Sequence, residues 1–113
     1  AEEAISFKEE VDFETWSKLD IKVAKIIQAE DHPKADRLYI LQLDVAGEKR
    51  QVVSGIKEYY TKEELLNKHV VYLSNLKPIK LRGVESHGML LAESQGDKVL
   101  LLEAKLDTGS AIS

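Results

Sequence analysis

Apolar and polar residues alternate in several short runs of this chain, and the runs are separated by turn-forming residues. In "LDIKVAKIIQAE" (19–30), Leu19, Ile21 and Val23 alternate with Asp20 and Lys22, which is the pattern of a half-buried strand. Lys25 breaks the parity, and Ile26 and Ile27 follow as a pair. A strand whose inward face switches midway must bend or bulge, as barrels require. "DHPKADR" (31–37) predicts a turn stiffened by Pro33, and "LYILQLDV" (38–45) a second strand. "AGEK" (46–49) predicts a hairpin turn leading into a third strand, "RQVVSGI" (50–56). "TKEELLNK" (61–68) predicts a short helix. Thr61 and Glu64 have capping-box spacing, and Lys68 suits the negative end of the helix dipole. "HVVYLSNL" (69–76), "GMLLAES" (88–94) and "KVLLLEA" (98–104) predict the remaining extended segments, with a turn at "QGD" (95–97). Upstream, Ser6 with Glu9 again has capping-box spacing, and Asp12 is placed to cap a second helical turn, "FETWSK". Phe7, Val11, Phe13 and Trp16 give this arm an apolar side, which needs either its own core or a second subunit to cover it.

Three strands, one helix and then two or three strands, with no parallel βαβ rhythm, match a small Greek-key barrel. The expectation is an all-β, five-stranded OB-fold barrel with a short helix between strands 3 and 4, an N-terminal helix and a C-terminal extension. The fold alone assigns no function.

At 113 residues, 43% of them apolar, the chain suits one domain. No run approaches the roughly 18 apolar residues of a membrane span, and no basic-then-apolar start marks a secretory signal. With no cysteine there is no disulfide or thiolate metal site, and a reducing cytoplasm is the expected location. The net charge of −4 is unevenly distributed. Residues 1–14 hold six carboxylates against Lys8, so they carry −5 and leave +1 for the rest. Residues 1–11 read as an acidic arm or linker, and 12–113 as the domain. The body is nearly neutral, and local patches decide what it attracts.

Enzyme chemistry finds little support. His32, His69 and His87 are widely spaced and show no metal-ligand pattern. "VSG" (53–55) lacks the first glycine of a nucleophile elbow, and there is no phosphate-binding glycine loop. No catalytic residue, metal or cofactor is predicted. "NLKPIKLRGVESHGM" (75–89) is different. Lys77, Lys80 and Arg82 fall within six residues of what reads as a loop after the fourth strand. They make either a solvated loop or a cationic edge that neutralises phosphates. Asn75 and Ser86 add neutral hydrogen-bonding groups, and Gly83 and Gly88 permit close backbone approach. Met89 reads as core filler by periodicity or as a soft apolar surface for a base.

"KLDIKVAKI", "HPKADRLYILQLDVAG", "RQVVSGI", "NLKPIKLRGVESHGMLLA" and "GSAIS" occur in this order and spacing. Together they closely resemble the tRNA-binding domain family over residues 12–113. That family includes the C-terminal domain of methionyl-tRNA synthetase, free-standing bacterial tRNA-binding proteins and the CsaA proteins. The resemblance implies a non-catalytic barrel that grips tRNA by shape and a homodimer built through the N-terminal helix and the C-terminal segment. It places Phe13, Trp16, Leu102 and Leu106 at the dimer interface. It maps tRNA binding onto Asn75, Lys77, Lys80, Arg82, Ser86 and Met89, with Lys22 and Ser54 as lesser contacts. The acidic arm is most similar to the linker that joins this domain to the catalytic body of methionyl-tRNA synthetase. That implies a partner in cis; a free-standing tRNA-binding protein or a CsaA-like chaperone dimer is the alternative. Ala24 stands where the family usually has glycine, Leu81 where it often has methionine, and Lys22 where arginine is frequent. Tyr39, Tyr59 and Tyr60 could stack on bases, but packing in the core or rim is expected of each, which favours phosphate and shape over base stacking.

Overall fold

Three strands, β1 (Ile21–Asp31), β2 (Tyr39–Val45) and β3 (Glu48–Ser54), form an antiparallel meander, with the two-residue turn Ala46–Gly47 between the last two. A four-residue helix, α2 (Lys62–Leu65), precedes β4 (His69–Leu73), which returns to pair with β1. With β7 (Met89–Leu90) beyond β4, the strand order is β3-β2-β1-β4-β7. The sheet is strongly curled into a half-barrel, the OB-fold-like all-β architecture expected from the sequence. This computed structural model describes residues 6–113; the first part of the acidic arm, including Glu2 and Glu3, lies outside the described residues.

β1 shows how the curl arises. Residues Ile21–Lys25 pair with β4, and Lys25–Asp31 pair with β2, so one strand serves two neighbours along its length. The register with β2 shifts between Ile26 and Gln28. Ile26 is buried in the core while Ile27 is exposed, as the paired isoleucines predicted. The core comprises Ala24, Ile26, Leu41, Leu43, Val52, Leu65, Val70 and Tyr72, among others. Leu65 is the one buried residue of α2, so the helix plugs one end of the barrel. Its Thr61–Glu64 capping box forms in both directions: Glu64 N–H donates to Thr61 Oγ1 and Thr61 N–H to Glu64 Oε1. Those bonds hold the Glu64 carboxyl below its usual pKa.

Five sequence expectations are corrected. The helix predicted from Ser6 does not form; residues 6–12 are irregular and exposed, and helix begins only at α1 (Phe13–Ser17). Phe7 and Val11 find nothing to pack against, and a helix this short is marginal without a docked face. Asp12 occupies the N-cap position, but its side chain makes no capping hydrogen bond. The stretch expected as an open loop, 75–87, contains a hairpin of β5 (Ile79–Leu81) and β6 (Val84–Ser86). Three residues per strand are too few for alternation to register. The extended segment 88–94 splits into β7 and β8 (Ala92–Gln95), where its partner changes from β4 to the last strand. β8 then pairs with β9 (Lys98–Leu101), which ends three residues earlier than expected.

The C-terminal segment closes the sheet's open side. Gly109 N–H donates to Val23 O, Val23 N–H to Ser110 O and Ile112 N–H to Ile21 O, stitching residues 109–112 along the first half of β1. Further up, Val71 N–H donates to Leu102 O and Ala104 N–H to His69 O.

Candidate nucleic-acid interface

The β5–β6 hairpin carries the cationic stretch and is held rigidly at three places. Against β3, Gln51 Nε2 donates to Glu85 O (2.7 Å) and His87 N–H donates to Gln51 O (2.8 Å). Two residues further along β3, Val53 N–H donates to the Ser86 hydroxyl (3.0 Å). At β4, the Tyr72 hydroxyl donates to His87 O, and burial pushes its phenol pKa up. At the β1–β2 turn, the ring of His32 is buried, with Nε2 2.9 Å from Leu81 O. His32 Nδ1 accepts from Lys34 N–H (3.0 Å), which leaves the ring proton on Nε2 to donate to the hairpin. Replacing His32 with alanine is expected to cost about 1–2 kcal/mol by stranding the Leu81 carbonyl. It should also speed amide exchange through β5–β6, which hydrogen–deuterium exchange will read.

The hairpin turns at Arg82 (φ 51°) and Gly83 (φ 86°), a mirror-image two-residue turn. Arginine rarely adopts this left-handed conformation, so a strained residue presents its guanidinium at the tip. Lys77, Lys80 and Arg82 are three of the ten cations that have no carboxylate partner among the described residues, and they fall within six residues of one another. Lys22, Arg37, Arg50, Lys57, Lys62 and Lys68 each pair with a carboxylate, whereas among the described residues the hairpin's three do not. The one carboxylate on the hairpin is Glu85, opposite Lys80 in register.

The other predicted site residues divide. Asn75 clamps the chain entering β1: it donates to Lys18 O (2.6 Å) and accepts from Asp20 N–H (2.9 Å). Ser86 is 4% exposed, and its hydroxyl is engaged by Val53 N–H and Gly88 O. Met89 is not core filler; it is 45% exposed. Ser54 is half-buried at the end of β3. Lys22 sits apart from the hairpin, in a pocket of about 240 Å³ that it lines with Asp20, Arg50, Ser74, Val45 and Tyr72. There the Ser74 hydroxyl and Lys22 hold Asp20 below its usual pKa. Arg50 was missed by sequence reasoning. It reaches Ser74 O (3.3 Å), Glu48 (3.3 Å) and the ring of His87 (3.1 Å) and braces the pocket against the segment after the hairpin.

Tyr39 and Tyr60 behave as packing residues, whereas Tyr59 is exposed. Tyr39 is buried and donates to Tyr60 O, and the Tyr60 hydroxyl accepts from Leu101 N–H. Phe13, Trp16, Leu102 and Leu106 are exposed, and α1 buries none of its residues. Of the two covers the sequence allowed for the arm, its own core is therefore excluded for α1. Among the described residues no His, Asp and Glu group converges to hold a metal ion, and no helix is long and apolar enough to cross a membrane.

Fold and hairpin define the class: an all-β barrel domain of the oligonucleotide-binding type. Residues 21–111 match the family described as "Putative tRNA binding domain", and the chain belongs to that family. It is 55% identical over 92 residues to a methionine–tRNA ligase of Pyrococcus furiosus; the match covers 81% of this chain and 13% of that protein. The chain thus spans about an eighth of the length of such relatives. Among solved structures, a MetRS-related protein of Pyrococcus horikoshii superposes with a TM-score of 0.87 at 33% identity, over 94% of this chain and all of that one. The chaperone CsaA of Bacillus anthracis superposes with a TM-score of 0.82 at 25% identity, over 93% of this chain and all of that one.

Proposed function

We propose that this chain is a non-catalytic module that binds folded tRNA on the face carrying Lys77, Lys80 and Arg82. The observation that supports it is a docked hairpin presenting three cations without carboxylate partners among the described residues, one of them held in a strained conformation at the tip. Met89 belongs to the same face. Asn75, Ser86 and Ser54 shape it, and Lys22 is a minor contributor. The module is appended to the catalytic body of methionyl-tRNA synthetase and raises the effective concentration of tRNA there. It acts as a homodimer, with Phe13, Trp16, Leu102 and Leu106 covered by a second copy, for which their exposure is the support.

A tRNA titration at increasing salt tests this reading. Counterion release from about three phosphates per subunit gives a slope of log K against log[salt] of roughly −3. Absence of tRNA binding at low salt would instead favour a chaperone-like module that binds unfolded chains, the reading that the likeness to CsaA supports.

A further inference from the structure

Beside the hairpin lies an open cleft of about 360 Å³ whose lining is mostly apolar. Val53 of β3, Leu76, Ile79 and Leu81 of the hairpin arm, and Met89 of β7 form its walls, with Lys77 at the edge. The volume falls at the lower end of the range of small-molecule sites, ~300–1,000 Å³. Ile79 is 57% exposed and Met89 45%, so two flexible apolar side chains face solvent at the foot of a cationic hairpin. The one hydroxyl in the wall, Ser86, is already engaged by Val53 N–H and Gly88 O. The cleft therefore offers apolar surface beside positive charge and little hydrogen-bonding capacity of its own.

We infer that this cleft receives an unpaired nucleobase of the bound RNA, face-on against the Met89 thioether, while the phosphate of that nucleotide is neutralised by Lys77 at the cleft's edge. The inference rests on the tRNA-binding reading above and adds a base subsite to it. Charge complementarity selects the occupant. A nucleotide joins one apolar ring to one anion at short range, and that is the pairing the cleft and its edge present. An apolar peptide segment would fill the cleft but leave Lys77 at its edge without a partner. With Lys77 engaged by the phosphate and Ser86 by the backbone, no other side chain of the wall can hydrogen-bond, and recognition is by the face of the base and not by its edge. The subsite tolerates any base and favours purines for their larger area.

The test uses the whole chain and a tRNA transcript. Met89→Ala and Ile79→Ala, both at exposed positions, should each weaken binding roughly fivefold, the loss of one polarizable or apolar contact. The salt slope should stay at its wild-type value, because no cation is removed. Met89→Leu should retain most of the affinity. A base-modifying reagent should find one unpaired base protected in the wild-type complex and reactive again with Met89→Ala, while backbone protection persists. Unchanged affinity and an unchanged base footprint in both alanine variants would overturn the subsite yet leave tRNA binding standing. So would variants that keep tRNA but lose a reduced, unfolded polypeptide, which would reassign the cleft to protein. If wild-type protein binds no tRNA at low salt, the subsite and the tRNA-binding reading both fall.

Discussion

With Lys80→Ala and Arg82→Ala combined, the protein binds tRNA about 10–100-fold more weakly at low salt, and the slope of log K against log[salt] flattens from roughly −3 to roughly −1. Each exposed cation that meets a phosphate releases about one condensed counterion, so removing two contacts takes about two units from the slope. The effect should be uniform across tRNA sequences, since phosphate contacts carry no sequence information. A third substitution separates binding from stability. Arg82 occupies the first position of a mirror-image turn with Gly83 behind it. Asn–Gly is the favoured sequence for such turns, so Arg82→Asn should leave the hairpin as stable as before or more so. It should still weaken tRNA binding and flatten the slope by about one unit. Filter binding or anisotropy at four or five salt concentrations, with thermal melts of the same samples, decides the matter. Identical slopes for wild type and double variant would move the RNA site off the hairpin.

Gly88→Ala should be the most damaging single substitution to stability, by about 3 kcal/mol or more, lowering the melting temperature by roughly 10 °C or more. Gly88 has φ 88°, which alanine resists, and it lies over the end of β4. A Cβ there would run into the Leu73 carbonyl oxygen and come within 2.7 Å of a Tyr72 ring carbon. Both obstacles are rigid: one is strand backbone, and the other is a fully buried ring whose hydroxyl is bonded to His87 O. Gly96→Ala is the control. Gly96 also has positive φ (62°), but a Cβ there meets nothing within 4 Å, so its cost should be about 1 kcal/mol. Equal melting temperatures for the two variants would mean that backbone strain alone, and not the close approach to β4, sets the penalty.

Sequence patterning captured the barrel best where burial alternates strictly, as it does along β2. β2 alternates buried and half-buried residues from Tyr39 to Val45, and each buried one points into the core. The bulge in β1 was legible in two adjacent isoleucines, since a two-residue period cannot place both inside. The capping box at Thr61 was legible because it is a local bond between residues three apart. The same spacing at Ser6 misled, because a cap only starts a helix, and Phe7 and Val11 have no surface on which to continue it. Within the candidate site, the charges could be read and their scaffolding could not. Lys77, Lys80 and Arg82 announce themselves. The buried His32 that ties Leu81 to the β1–β2 turn lies 49 residues from its partner, and no local spacing encodes that contact. Arg50 was hidden in the same way. Its partners Ser74 and His87 come from segments that meet only when β3 and β4 are curled together.

The bonds between residues 109–112 and the start of β1 also govern when the domain can form. The first half of β1 has β4 on one side and this late segment on the other, so its hydrogen bonds join residues almost ninety positions apart. Contacts of such long range make folding slow, since the chain must close large loops before the pairing rewards it. During synthesis β1 leaves the ribosome early and waits for the last stretch of the domain, its edge unpaired until then. The first half of β1 therefore gains its second partner only once residues 109–112 have left the ribosome. A chain stalled before Gly109 would expose a strand edge suited to pairing with other nascent chains.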